Sequence, residues 1–144
     1  MIASPSDVQK ERDEIETEIF ELNIRFTEEM QITLLPSRWE KDVVPVYGGI
    51  DAQQIIIEQL VNKCDILKGV FWAKLGTPTK RHSSGTLEEI SIFIEQNKEV
   101  IVYFVEKYVP MNANFDEMKE EYLIIYVFFK KFFMLLMFRK MMRS

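Results

Sequence analysis

The chain has 144 residues, 47% apolar and 28% charged, with a formal net charge of -5, which suffices for one domain with a real core and not for two ordinary ones. Five of its 18 Lys and Arg, and none of its 23 Asp and Glu, lie from Phe128 onward; the body before that point is acidic, which argues against nucleic acid as a partner. Cys64 is the only cysteine and His82 the only histidine, so no internal disulfide forms, a zinc site is disfavoured, and a cytoplasmic protein without a cofactor is expected.

Ser4-Pro5-Ser6-Asp7 has the pattern of a helix start, with Ser4 as cap, Pro5 as first helical residue and Asp7 as the acidic partner. Val8, Ile15, Ile19, Leu22 and Phe26 then recur at helical spacing, which predicts a helix to about Glu29. Only Met1-Ile2-Ala3 precedes it, so the first strand is expected to be clipped. Ile32 to Trp39 reads as a second strand bent by Pro36, and Trp39 to Gly49 as a polar, Gly-rich loop. Asp51 caps a helix through Ile56, Leu60 and Val61. Asp65 to Trp72 is the third strand, and a loop from Gly76 leads to a helix from Thr86 to about Asn97. Glu99 to Val105 is β-branched and aromatic, as a buried parallel strand should be. This alternation predicts an α/β fold with a parallel sheet of about four strands and helices on both faces.

Residues 1–112 make up that domain. Residues 113–144 form an atypical apolar-basic helical tail, read as a truncated or altered end of the domain. Its uncharged stretches, Tyr122–Phe129 and Phe132–Phe138, are well short of the roughly 20 residues a membrane span needs. Its cations spread around the helical wheel, which does not suit a surface-lying helix either, so membrane contact is disfavoured and self-association is the expected consequence of its apolar surface.

The most informative segment is Ser83-Ser84-Gly85-Thr86-Leu87-Glu88-Glu89, a turn between a strand and a helix with a carboxylate one turn in. In open α/β sheets this junction faces the ligand crevice, and the helix amino terminus offers free N–H groups to anions. Glu89 is the candidate catalytic carboxylate; its competing role is a capping box, reaching back to the Thr86 backbone N–H. Ser4 and Ser6 are candidate phosphate ligands or ordinary caps. Trp39 and Trp72 would stack on a base or simply fill core. Gly76, Thr77, Gly85 and Thr86 would line a backbone contact or form turns, and Lys80 and Arg81 would meet phosphates or water. Asp42, Glu40 and Tyr47 on the second loop are candidates for acid–base work beside Glu89. The site reading requires Glu89 to open into a solvent-reachable hollow above the sheet.

These residues resemble a known pattern. Ala3-Ser4-Pro5-Ser6-Asp7-Val8 with Glu11-Arg12-Asp13 is similar to the "SPSDV…ER" opening of a bacterial domain family of unknown function. Trp39-Glu40-Lys41-Asp42-Val43-Val44-Pro45 with Gln53 and Ile56 resembles its second block. Cys64-Asp65-Ile66, Phe71-Trp72, Gly76-Thr77-Pro78-Thr79 and Ser84-Gly85-Thr86-x-x-Glu89 resemble its third. That family looks related to the group containing TIR domains and nucleoside 2-deoxyribosyltransferases, found in signalling and antiphage defence, often at the amino terminus of larger NTPase- or repeat-containing proteins. The resemblance implies a flavodoxin-like (TIR-like) three-layer sandwich that recognises a nucleoside or nucleotide. It also implies that Glu89 matches the carboxylate that cleaves an N-glycosidic bond, with NAD or a nucleoside as substrate. The alternative is a non-catalytic adaptor domain that self-associates or contacts other domains of a parent protein.

Overall fold

A computed structural model describes residues 1–46, 48–49 and 51–142, with side-chain surroundings described through Lys131. Strand β1 (Ile2–Ala3) leads through a 3-10 turn at Ser6–Val8 into α1 (Gln9–Met30). A one-turn helix α2 (Trp39–Asp42) and α3 (Ala52–Gln59) precede β2 (Ile66–Phe71). Then come α4 (Gly85–Glu95), β3 (Glu99–Phe104) and α5 (Phe115–Met142). Among the described residues the strands form one parallel sheet in the order β1-β2-β3, with Ile2 beside Lys68 and Leu67 beside Val100. The chain is therefore mixed α/β, with helices on the sides of a parallel sheet.

The expected strand between Ile32 and Trp39 does not form: residues 31–38 are irregular, and the sheet has three strands rather than four. The cause is visible in the hydrogen bonds. The Asn23 side chain accepts from the Leu34 N–H (2.8 Å) and donates to the Leu34 carbonyl (2.7 Å), taking both groups a ladder would use. Pro36 has no N–H to offer. Two-residue β1 provides a single contact, Ile2 N–H to Ser37 carbonyl at 2.9 Å. Residues 39–42, expected as loop, close instead into α2, where the Asp42 carboxylate accepts from the Arg38 N–H at 2.6 Å.

The core lies on one face of the sheet. Leu67, Phe71 and Ala3 point into it and meet Leu87, Ile90 and Phe93 of α4, with Ile57, Leu60 and Val61 from the α3 region. Gly69 sits between Leu67 and Phe71 on this face, and the Ile90 side chain fills the space above it, where a Cβ would lie 3.5 Å away. Helix α5 joins the same core through Ile125, with Phe128 and Phe129 packed against it. The Phe129 ring lies 5.9 Å from Phe71 and 5.7 Å from Phe104, edge-on to both. Half of the predicted tail is thus continuous with the packing of the domain, while Arg143 lies outside the described residues.

The opposite face is only partly covered. Ile2, Val8 and Val70 are buried, but Ile66, Ile101 and Tyr103 are exposed. Strand β3, expected to be buried, is an edge strand with most of its side chains in contact with solvent. Helix α1 shows the same gradient: Ile15 and Ile19 are half-buried, whereas Leu22 and Phe26 are exposed. With no strand formed by 31–38, the outer half of its apolar stripe has no sheet to lie on.

Asp7 and Lys107 fasten the carboxyl ends of the strands to the start of α1. Asp7 does not act as a partner to a Ser4 cap; the Ser4 hydroxyl instead donates to the Pro5 carbonyl. The Asp7 carboxylate accepts from the backbone N–H groups of Ala73 (3.1 Å) and Lys74 (2.9 Å), just after β2. Lys107 pairs with Glu11 at 2.6 Å and lies over the Trp72 ring at 5.2 Å. Asp7→Ala leaves two backbone donors without their acceptor and should cost about 1–3 kcal/mol in a urea titration, with Asp7→Asn recovering part of it.

Candidate functional site

The loop after β2 returns to the sheet at Gly76, whose φ of +102° favours glycine. A Cβ there would meet Ser84 at 3.6 Å and Pro5 at 3.8 Å, so the end of β1, the loop after β2 and the start of α4 converge at this point. The Gly85 N–H donates to the Thr77 carbonyl at 3.0 Å. Ser84, fully buried, is the helix cap, its hydroxyl accepting from the Leu87 N–H at 3.1 Å. The capping box weighed as the alternative role of Glu89 does not form among the described residues, since the cap is Ser84 and the Glu89 carboxylate bonds Gln53.

Glu89 instead turns inward, and its carboxylate accepts from the Gln53 side-chain N–H at 3.2 Å. Gln53 reaches it from the first turn of α3, held there by the Asp51 cap, whose carboxylate accepts from the Gln53 backbone N–H at 3.3 Å. The same Gln53 side chain lies across Gly85, and a Cβ at Gly85 would fall 2.6 Å from its Oε1. Gly85 thus lets the amide lie flat over the start of α4 and cover the carboxyl group. Glu89 is only 5% exposed. The open hollow expected from the sequence is corrected here: in this conformation the carboxyl is closed in behind Gln53.

Burial pushes the Glu89 carboxyl up to about 7; the Gln53 hydrogen bond opposes this, and the nearby charges of Glu88 and Glu40 add to it while Arg12 lowers it. Besides its neighbour Glu88, Glu40 of α2 and Arg12 of α1 thus act on Glu89. Arg12, 3% exposed, donates to Glu40 and to Gln9. Arg38, 2% exposed, donates to Asp13 at 2.6 Å and Glu16 at 3.0 Å, and Lys41 reaches Glu16 at 2.6 Å. Burial alone would lower the Arg38 pKa, but the bonds from Asp13 and Glu16 outweigh it and raise it. For Glu16, burial is likewise outweighed by the Lys41 and Arg38 bonds, which hold its carboxyl below the ordinary value.

Of the residues singled out from the sequence, Gly76, Thr77, Gly85, Thr86 and Glu89 meet around the start of α4. Ser4 adjoins them through Pro5, whereas Ser6 is exposed in its turn. Trp72 lies under Lys107, and Trp39 is half-exposed at the start of α2. Asp42 closes α2, Arg81 pairs with buried Glu88, and Lys80 is exposed. Tyr47 lies outside the described residues. The roles of Gln53, Arg12, Arg38 and Ser84 were not foreseen. A glutamine just after a helix cap was the visible signal for Gln53, whereas nothing local marks Arg38 for burial. Comparisons of the chain with protein-family models, with curated proteins and with solved structures found no match.

Proposed function

We propose that the chain is a flavodoxin-like, TIR-like module of signalling or defence that recognises a nucleoside or nucleotide, with Glu89 as the group that acts on its N-glycosidic bond. The observation that carries this reading is the buried Glu89 carboxyl at the strand-to-helix junction, held by one side-chain amide and flanked by Arg12 and Glu40. The carboxyl is closed off in the described conformation, whereas this reading requires an open hollow, so the reading holds only for a conformation in which Gln53 has moved aside. Ligand entry requires Gln53 to leave the carboxyl; Gln53 is itself half-exposed and makes no further side-chain hydrogen bond among those described.

In its ionised form Glu89 would stabilise positive charge on the ribose carbon as the C1′–N bond breaks. The bonding electrons leave with the base, and water adds to C1′. From NAD, nicotinamide departs neutral, and the proton lost by water passes to Glu89 or solvent. A neutral nucleoside base has to take up a proton as it leaves, and with Glu89 ionised that proton comes from solvent.

The test is incubation with NAD and with several nucleosides, with released base read by chromatography, for the wild type beside Glu89→Gln. Release by the wild type that falls at least about 100-fold in the variant is the expected result. Release that survives the substitution removes Glu89 from the mechanism. A second reading, a non-catalytic adaptor of a larger protein, is favoured by the exposed apolar side chains of α1, among them Phe20, Leu22, Ile24 and Phe26, and by an apolar groove of about 300 Å³ between Phe104 of β3 and Tyr122, Tyr126 and Phe129 of α5. No release and no thermal shift with any nucleotide would decide for that reading.

A further inference from the structure

Among the described residues, the two most deeply buried cations share one carboxylate. The Arg12 and Arg38 side chains are 4% and 3% exposed, and both face Glu40, whose side chain is 27% exposed. One Glu40 oxygen accepts from Arg12, and the other lies 3.9 Å from the Arg38 Nε. The Nε atoms of both arginines are buried and have no hydrogen-bond partner among the described residues. A guanidinium stripped of water and left with an unused donor is costly, and fork-shaped donors match oxyanions that can take two bonds at once. A carboxylate has two oxygens to offer two forks, and it leaves a donor unserved on each. A tetrahedral oxyanion has more oxygens to offer.

Glu40 is also the one of these partners best placed to leave. It stands on α2, a helix of four residues, between a stretch with no regular structure and a Gly-containing loop. Arg38 keeps Asp13 and Glu16 when Glu40 departs, while Arg12 keeps only Gln9. The charge vacated at Arg12 is thus the one an incoming anion replaces.

We propose that Arg12 and Arg38 form a phosphate-binding site that Glu40 occupies as an internal stand-in for the anion, swinging to solvent when a phosphate-bearing ligand binds. The site rests on the two arginines and goes beyond the reading of Glu89, since an inorganic anion with no sugar or base would fill it. The phosphate could belong to a nucleotide or be free, and the ligands chosen for the test separate these sources.

The experiment measures thermal shift and equilibrium dialysis with inorganic pyrophosphate, against sodium chloride of equal ionic strength. Wild type, Glu40→Gln and the charge-balanced double variant Arg12→Gln/Glu40→Gln are compared. Removing the competing carboxylate should tighten pyrophosphate binding by about tenfold or more, and removing Arg12 as well should abolish it. If Glu40→Gln melts without a cooperative transition, pyrophosphate should restore one. Glu40→Gln binding pyrophosphate no better than wild type, or the double variant binding as well as Glu40→Gln, overturns the proposal. A nucleoside diphosphate that binds more tightly than pyrophosphate places the phosphate on a nucleotide, and equal binding places it free in solution. Because pyrophosphate has no glycosidic bond, its binding stands or falls separately from the Glu89 reaction.

Discussion

Replacing Glu89 by Gln should stabilise the protein at neutral and alkaline pH and leave it nearly unchanged at pH 4. Unfolded, the carboxyl titrates near 4.5; folded, burial raises it to about 7. Between those values the native chain holds a proton that the unfolded chain has released. Raising the pH through this window therefore favours unfolding, and above 7 the whole cost of a buried carboxylate is present. That cost is about 3 kcal/mol. For a chain of this size it corresponds to roughly 6–12 °C in melting temperature, so the curves for wild type and variant should meet near pH 4 and diverge by that amount by pH 8. Glu11 and Glu16, whose carboxyls are held below the ordinary value mainly by Lys107 and Lys41 against the effect of burial, act in the opposite sense. Their contribution is present above their unfolded pKa and lost as the pH falls through the lower folded value. It is common to both proteins and cancels in the difference. Parallel melting curves across pH 4 to 8 would mean that Glu89 is hydrated and ionised in the native state, and the covering role of Gln53 would go with it.

The pH effect depends on a contact the sequence could place only at one end. The position of Glu89, one turn into a helix after a glycine turn, was legible from Ser84-Gly85-Thr86, because caps and turns are written in adjacent residues. Its burial was not, because the side chain that covers it comes from Gln53, 36 residues away. The same division runs through the fold. Helix α3 was readable from Asp51, and β2 and β3 from short apolar runs. Ile32 to Trp39 carries an equally apolar run, yet a strand also needs a neighbour long enough to pair with, and β1 has two residues. The apolar run of β3 signalled a strand but not its place at the edge of the sheet, which is a property of the partners. Arg12 was visible as part of a motif, whereas Arg38 carried no local signal; only the three-dimensional arrangement gives both of them Glu40.

The largest loss of stability from a single truncation is expected at Phe71. Its ring is fully buried at the end of β2, 6.1 Å from Phe104 and 5.9 Å from Phe129, with Leu87 and Ile90 in the same cluster. Phe71→Ala removes that ring from a packed environment and should cost about 3–5 kcal/mol in denaturant titrations. Phe104, 53% exposed on the edge strand, forms part of the same aromatic group but gives up far less buried area. Phe104→Ala should cost about 1–2 kcal/mol. The contrast measures where the core ends. Phe129 decides a further point, because its ring meets those of both strands from α5. In a double-mutant cycle, Phe71→Ala and Phe129→Ala should couple by about 0.5–1.5 kcal/mol, the range for an aromatic pair beyond its burial. A coupling of zero, with Phe129→Ala itself silent, would mean that α5 does not dock on the sheet in solution. The core would then lose its cover at Phe71, and the groove beside Phe104 would disappear with it. A positive coupling makes α5 part of the folding unit, and its apolar side chains that remain exposed then belong to the outer surface of the domain.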